Sequence, residues 1–217
     1  MLTEKLLEVA KVGGEWVLYG LILLSIGSIA VTLERLLYFV RNSAKMEVLI
    51  PALMSKVSKG DLDGAEQVLR KDRSEEARMA LRIMEWRGDG RDALRRILDA
   101  VILERRPVLE KGTVFLGTVG NNAPFIGLFG TVLGVVQAFE KLGKGTAAGG
   151  AGSMDGVMSA ISEALIATAV GIMVAIPAVV AFNMISRRAQ RIEENVERLS
   201  NILIANLDRA NRTVEKK

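Results

Sequence analysis

Three stretches of this chain, residues 17–33, 113–139 and 164–186, contain no charged side chain, although a quarter of all residues are charged. That segregation limits the possible folds more than any other feature. A helix rises about 1.5 Å per residue, so each stretch can cross a hydrocarbon core about 30 Å thick, the first with modest tilt or help from its flanks. Helices in a soluble core seldom need uncharged runs this long. The chain is therefore read as an all-α membrane protein: three transmembrane helices with long cytoplasmic helical extensions. Cysteine and histidine are both absent, which removes disulfides, thiol chemistry and the usual zinc ligand sets. No cofactor is expected.

Basic residues set the expected orientation. Lys and Arg number 2 in residues 1–15, 16 in 41–111, 2 in 140–160 and 8 in 187–217. The positive-inside rule then gives a periplasmic amphipathic N-terminal helix over 1–15, transmembrane helix 1 over 16–40 and a cytoplasmic helical domain over 41–112. Transmembrane helix 2 follows over 113–139, a periplasmic loop over 140–160, transmembrane helix 3 over 161–186 and a cytoplasmic C-terminal helix over 187–217. The first fifteen residues lack the apolar run and small-residue cleavage site of a signal peptide, and should lie on the membrane surface. The net charge of +4 falls where a cytoplasmic membrane face would place it, so no nucleic-acid partner is needed.

Within 41–112, Asp61 or Asp63 and then Ser74 are helix N-caps by type and position, with Gly88 as a stop. A further helix should start near Arg91 and run through Pro107 toward the second span. The segment offers no nucleophile and base pair and no metal cluster. The glycine-rich run 143–153 lacks phosphate-loop spacing and a preceding strand. An enzyme is therefore not expected.

The second span is unusually small on one side. Thr113, Gly117, Gly120, Pro124, Gly127, Thr131, Gly134 and Ala138 fall within an arc of about 100° on a helical projection. The third span repeats this with Ala160, Ala164, Ala167, Gly171, Ala175 and Ala178, with Glu163 on one edge, Thr168 on the other, and Pro177 adjoining. Small faces let helices approach closely. They are expected to pack around a partner helix on an axis shared by several copies, while span one, whose Leu and Ile surround only Gly20 and Gly27, mostly faces lipid. Thr131 and Thr168 each lie eight residues from an outer span end, about 12 Å deep in antiparallel helices. Their hydroxyls could form a polar ring; alternatively, each could bond to its own backbone. Glu163 is the one acid in the outer part of these spans, and Asn121, Asn122 and Asn183 could line a wet inner mouth.

The run GTVGNNAPFIGLFGTVLGVVQAF followed by ISEALIATAVGIMVAIPAVVAFN resembles the paired signature of the ExbB/TolQ family, larger relatives of MotA-type stator subunits. The likeness is strong over the last two spans, looser at ERLLYF, and mainly one of size in the middle segment. What it implies is an inner-membrane, proton-driven motor: a pentamer enclosing the helices of a small ExbD/TolR-type partner whose aspartate carries the proton, with a TonB/TolA-type or gliding-machinery protein beyond. By motif position it makes Thr131 and Thr168 the pore threonines and Glu163 the family acid. A sodium-driven stator and a structural membrane scaffold remain as alternatives.

Overall fold

The computed structural model describes residues 15–148 and 152–214, with side-chain surroundings for 15–143 and 154–205. The helix expected over 1–15 therefore lies outside the described residues except for Glu15. Seven helices follow in order: α1 (Glu15–Asn42), α2 (Met46–Val57), α3 (Leu62–Lys71), α4 (Glu75–Met84), α5 (Arg91–Leu109), α6 (Thr113–Ala148) and α7 (Gly152–Val214). Among the described residues there is no strand. Helices α1, α6 and α7 each contain a segment long and apolar enough to cross a membrane. The described chain divides into two compact units, an apolar one of residues 15–33 and 112–183 and a polar one of residues 34–111 and 184–214.

In the apolar unit, α1 buries Val17 and Leu21 against Val119, Ala123 and Leu133 of α6 and Val174, Ala175 and Ala178 of α7. The outward face of α1 is bulky and exposed, including Tyr19, Leu23 and Ile26, as suits a surface bathed by acyl chains. Lipid tails are as apolar as leucine, so close packing rather than the hydrophobic effect must hold such helices together. That packing is tightest between α6 and α7. A Cβ on Gly127 would sit 2.7 Å from the Ala167 carbonyl oxygen and 3.0 Å from Thr168 Cα, and one on Gly171 would sit 2.6 Å from the Ala123 carbonyl. Gly120 meets Val179, Gly134 meets Ala164, and Gly117 lies against the Phe182 ring.

This corrects the expected role of the small stripes. Gly117, Gly120, Gly127, Gly134, Ala164, Gly171 and Ala175 face one another inside a single chain rather than an axis shared between copies. The physical reason is complementarity: two consecutive antiparallel helices, each with a smooth face, satisfy both faces by closing on each other. Pro124 is half-buried within α6, and Pro177 is exposed on α7. Both are accommodated without breaking their helices, as spans often allow.

Helix bounds also differ from expectation. Helix α6 reaches Ala148 and α7 starts at Gly152, so most of the expected 140–160 loop is helical. The third span and the C-terminal helix are one unbroken element of 63 residues.

The polar unit has its own core, in which Leu49, Leu53 and Val57 of α2 meet Ala65 and Leu69 of α3, Ala77, Ala80 and Met84 of α4, and Leu199 and Leu203 of α7. Helices α3 and α4 start where side-chain caps dictate. Asp61 Oδ1 accepts the Gly64 N–H at 2.8 Å, and Ser74 Oγ accepts the Ala77 N–H at 3.2 Å. The Gly64 N–H, aided by Lys56, holds the Asp61 carboxyl below its usual range. Helix α4 ends at Met84, ahead of Gly88, and α5 passes through Pro107 to Leu109. Gly112, at φ +85°, then turns the chain into α6, in a left-handed conformation that disfavours residues with a Cβ. Arg35 is nearly fully buried, donates to the Val108 carbonyl at 3.0 Å and pairs with Glu34 at 2.6 Å. It thereby ties α1 to the end of α5, where carbonyls lack helical partners.

The seam makes a direct prediction. Gly127→Ala should lower stability by about 1–3 kcal/mol through overpacking, read as a drop in Tm in detergent. Gly20→Ala, whose new methyl meets nothing within 4 Å, should not lower it. Equal Tm for the two variants would contradict the seam.

Candidate functional site

Thr131, Thr168 and Glu163 lie along or beside the α6–α7 seam. The register that sets Gly117 against Phe182 and Gly120 against Val179 fixes their levels. Fourteen residues onward from Gly117 is Thr131, and fourteen back from Phe182 is Thr168. The two hydroxyls thus occupy one level of the bundle.

Their bonding states differ. Thr131 Oγ1 donates to the Leu128 carbonyl at 2.6 Å, the local backbone bond common to threonines in spans. Thr168 Oγ1 is buried and has no hydrogen-bond partner. A buried hydroxyl left unpaired costs about 1–3 kcal/mol, a cost that a hydrogen-bond partner reaching Thr168 Oγ1 would relieve. One turn away, Gly127 packs its backbone against Thr168, whose Cα would lie 3.0 Å from a Cβ at that glycine.

Glu163 is half-buried. With Gln137 it lines a narrow cleft floored by Gly130, Gly134, Ala160, Ala164 and Ala167 and closed by Leu18 of α1. The cleft has room for about one water. Gly130 sits where three helices meet: a Cβ there would be 2.8 Å from Ala167 Cβ and 3.3 Å from Val17 Cγ1. Around the hydroxyls the walls are carbon. Leu128 and Val135 are exposed one turn to either side of Thr131, as are Leu165 and Ile172 around Thr168.

Other sequence-selected polar residues behave differently. Asn122 donates to the Thr118 carbonyl at 2.8 Å and borders an outward apolar groove with Trp16, Gly20, Phe125 and Phe129. Asn121 and Asn183 are exposed. Sequence reasoning missed that α6 and α7 each serve as the other's partner; the signal was present in two small stripes on consecutive antiparallel spans.

Fold and site together define a three-span helical membrane protein whose α6–α7 region carries two hydroxyls at one level and a half-buried carboxylate. Residues 65–198 match the MotA/TolQ/ExbB proton channel family, and the chain belongs to that family. Among curated relatives, the chain is 46% identical over 92 residues to the biopolymer transport protein ExbB of Xanthomonas campestris pv. campestris, covering 42% of this chain and 35% of that one. It is 39% identical over 101 residues to the Tol-Pal system protein TolQ of Pseudomonas aeruginosa, covering 46% of this chain and 42% of the relative. With TolQ of Haemophilus influenzae the identity is 46% over 87 residues, 40% of this chain and 36% of the relative. The matched segments thus span between a third and a half of those proteins.

The unpaired hydroxyl can be tested alone. Replacing Thr168 by valine exchanges it for a methyl of the same shape and should raise stability by about 1 kcal/mol. Thr131→Val, which loses a local bond, should change it by less than about 0.5 kcal/mol. Thermal unfolding of the chain without other subunits measures both; a Thr168→Val variant less stable than the parent would mean that the hydroxyl is already paired.

Proposed function

We propose that this chain is the channel and stator subunit of a proton-driven motor of the ExbB/TolQ type in the bacterial inner membrane. Copies form a closed ring, a pentamer, around the single-span helices of an ExbD/TolR-type dimer. The N-terminus and the α6–α7 connection face the periplasm, and the polar unit faces the cytoplasm. The output passes to a TonB/TolA-type or gliding-machinery protein, for outer-membrane transport, envelope maintenance or surface movement. The observation that carries this reading is the buried, unpartnered Thr168 hydroxyl, level with Thr131 in a carbon-walled region.

The mechanism follows from what the apolar unit lacks. Residues 113–139 and 164–186 contain no titratable acid or base, so a proton crossing at that depth needs a carboxylate from another chain, or water. Because the small faces are closed on each other, the surface turned to the partner is the rim beside the seam, where Leu128, Val135, Leu165 and Ile172 flank the two threonines. A carbon rim has low polarisability, which strengthens a hydroxyl-to-carboxylate bond. The partner's aspartate, when ionised, accepts from Thr168 and Thr131. Protonation from the periplasmic side, by way of the Glu163 cleft, neutralises it and lets the partner helix move on. One charge falling through 100 mV releases about 2.3 kcal/mol, comparable to one or two such bonds and sufficient to bias a step. The chain itself works as a motor part rather than an enzyme, with the proton as coupling ion.

The test is proton flux in vesicles containing this chain and its ExbD/TolR-type partner. The Thr131→Val, Thr168→Val double variant should assemble normally and lose at least roughly tenfold in flux, the equivalent of one hydroxyl–carboxylate bond. Unchanged flux and output would leave the chain a scaffold; flux that follows a sodium gradient instead would make it a sodium stator.

A further inference from the structure

The polar unit holds two adjacent carboxylates in the first turn of α4, each only 1% exposed, and their surroundings differ. Glu75 is neutralised by two guanidiniums, Arg78 at 3.0 Å and Arg105 at 2.6 Å. Glu76 has no such partner: Oε2 accepts the Ala44 N–H at 3.0 Å, and Oε1 lies 3.5 Å from the Asn195 amide nitrogen. Among the described residues no cation pairs with Glu76. Three elements converge on this one side chain: the α1–α2 link through Ala44, α4 itself, and α7 through Asn195.

We infer that Glu76 is a proton-operated fastening, neutral when it draws the α1–α2 link and α7 onto α4, and slackening that contact when it ionises. A neutral carboxyl fits the three-way junction completely. Its carbonyl oxygen keeps the Ala44 N–H, and its hydroxyl can donate to Asn195 once that amide presents oxygen instead of nitrogen, since an amide offers both. An ionised carboxylate can only accept, and its long contact to Asn195 is a weak substitute.

The charged group set against Glu76 is Asp72, just ahead of α4, and it opposes ionisation. Glu75 beside it is held by its arginines, the α1–α2 link presents a backbone N–H, and α7 presents a neutral amide. Burial pushes the Glu76 carboxyl above its usual value of 4.5, against the pull of its own backbone N–H, Ala44 and Asn195. A raised carboxyl means that the packed state binds the proton more tightly than the opened one. Its contribution is therefore complete below pH 4.5 and is lost as pH rises through the raised value. Packing tightens on acidification and loosens on alkalinisation. Asn195 lies on the same unbroken helix as Thr168 and Glu163, so the fastening acts on the element that carries the site, and it does so whether or not the channel reading holds.

The test is hydrogen exchange of the full chain in lipid discs, followed at the Ala44 amide and along residues 192–203 across a pH series and corrected for intrinsic base catalysis. The parent should lose protection roughly tenfold per pH unit from pH 4.5 up to the midpoint set by the raised carboxyl, and no further above it, as linkage to a single proton requires. Glu76→Gln keeps the shape without the charge and should hold full protection at every pH. Asn195→Asp adds a facing like charge and should move the midpoint to higher pH by about one unit, a result that does not depend on Glu76→Gln folding. Matching pH profiles for parent and Glu76→Gln, or an unmoved midpoint in Asn195→Asp, would overturn the inference.

Discussion

The close approach of α6 and α7 is the contact on which the rest of the apolar unit depends. Backbone lies where side chains would otherwise be: Gly127 and Gly171 each leave less than 3 Å between a hypothetical Cβ and an opposing carbonyl oxygen. In a bilayer this intimacy replaces the hydrophobic drive that holds soluble helices together, because dispersion contacts between smooth faces exceed those available from mobile lipid tails. The same contact fixes register, and register sets the levels of Thr131 and Thr168. Helix α1 then docks against the pair chiefly through Val17 and Leu21, with Leu24 beside them, and its outward face is free for lipid or for a neighbouring copy.

The seam also explains how one hydroxyl can be left unpaired. Thr131 finds the Leu128 carbonyl one turn away, whereas Thr168 packs against the bare backbone of Gly127 and its hydroxyl makes no bond. A buried polar group without a partner is a cost that close packing must offset elsewhere. In the proposed function it is completed by an acid from another chain.

The legibility of the sequence divides along the same physical lines. Spans were readable because lipid tolerates so few charges, and Asp61 and Ser74 because a cap needs a short side-chain acceptor at one position. The matched level of the two threonines followed from counting along antiparallel helices. The destination of the small faces was not readable: periodicity shows that Gly120, Gly127 and Gly134 share a side, but not which surface meets that side, since an intrachain helix and a partner helix ask for the same smoothness. The continuous α7 was hidden for a similar reason. A change from apolar to charged residues at 187 marks a change of solvent, and a helix can cross that change unbroken. The burial of Glu76 was not readable at all, because the three-element junction that encloses it is a tertiary fact.

The most direct measurement of the central claim is cysteine cross-linking, which the absence of native cysteine makes unambiguous. In a Gly120→Cys, Val179→Cys double variant, oxidation in membranes should close a disulfide within one chain, since a Cβ at Gly120 would lie only 3.5 Å from Val179 Cα. The account predicts a monomer on a non-reducing gel. A ladder of covalent dimers and higher species, with little intrachain product, would mean that the small faces look toward other copies and would contradict it.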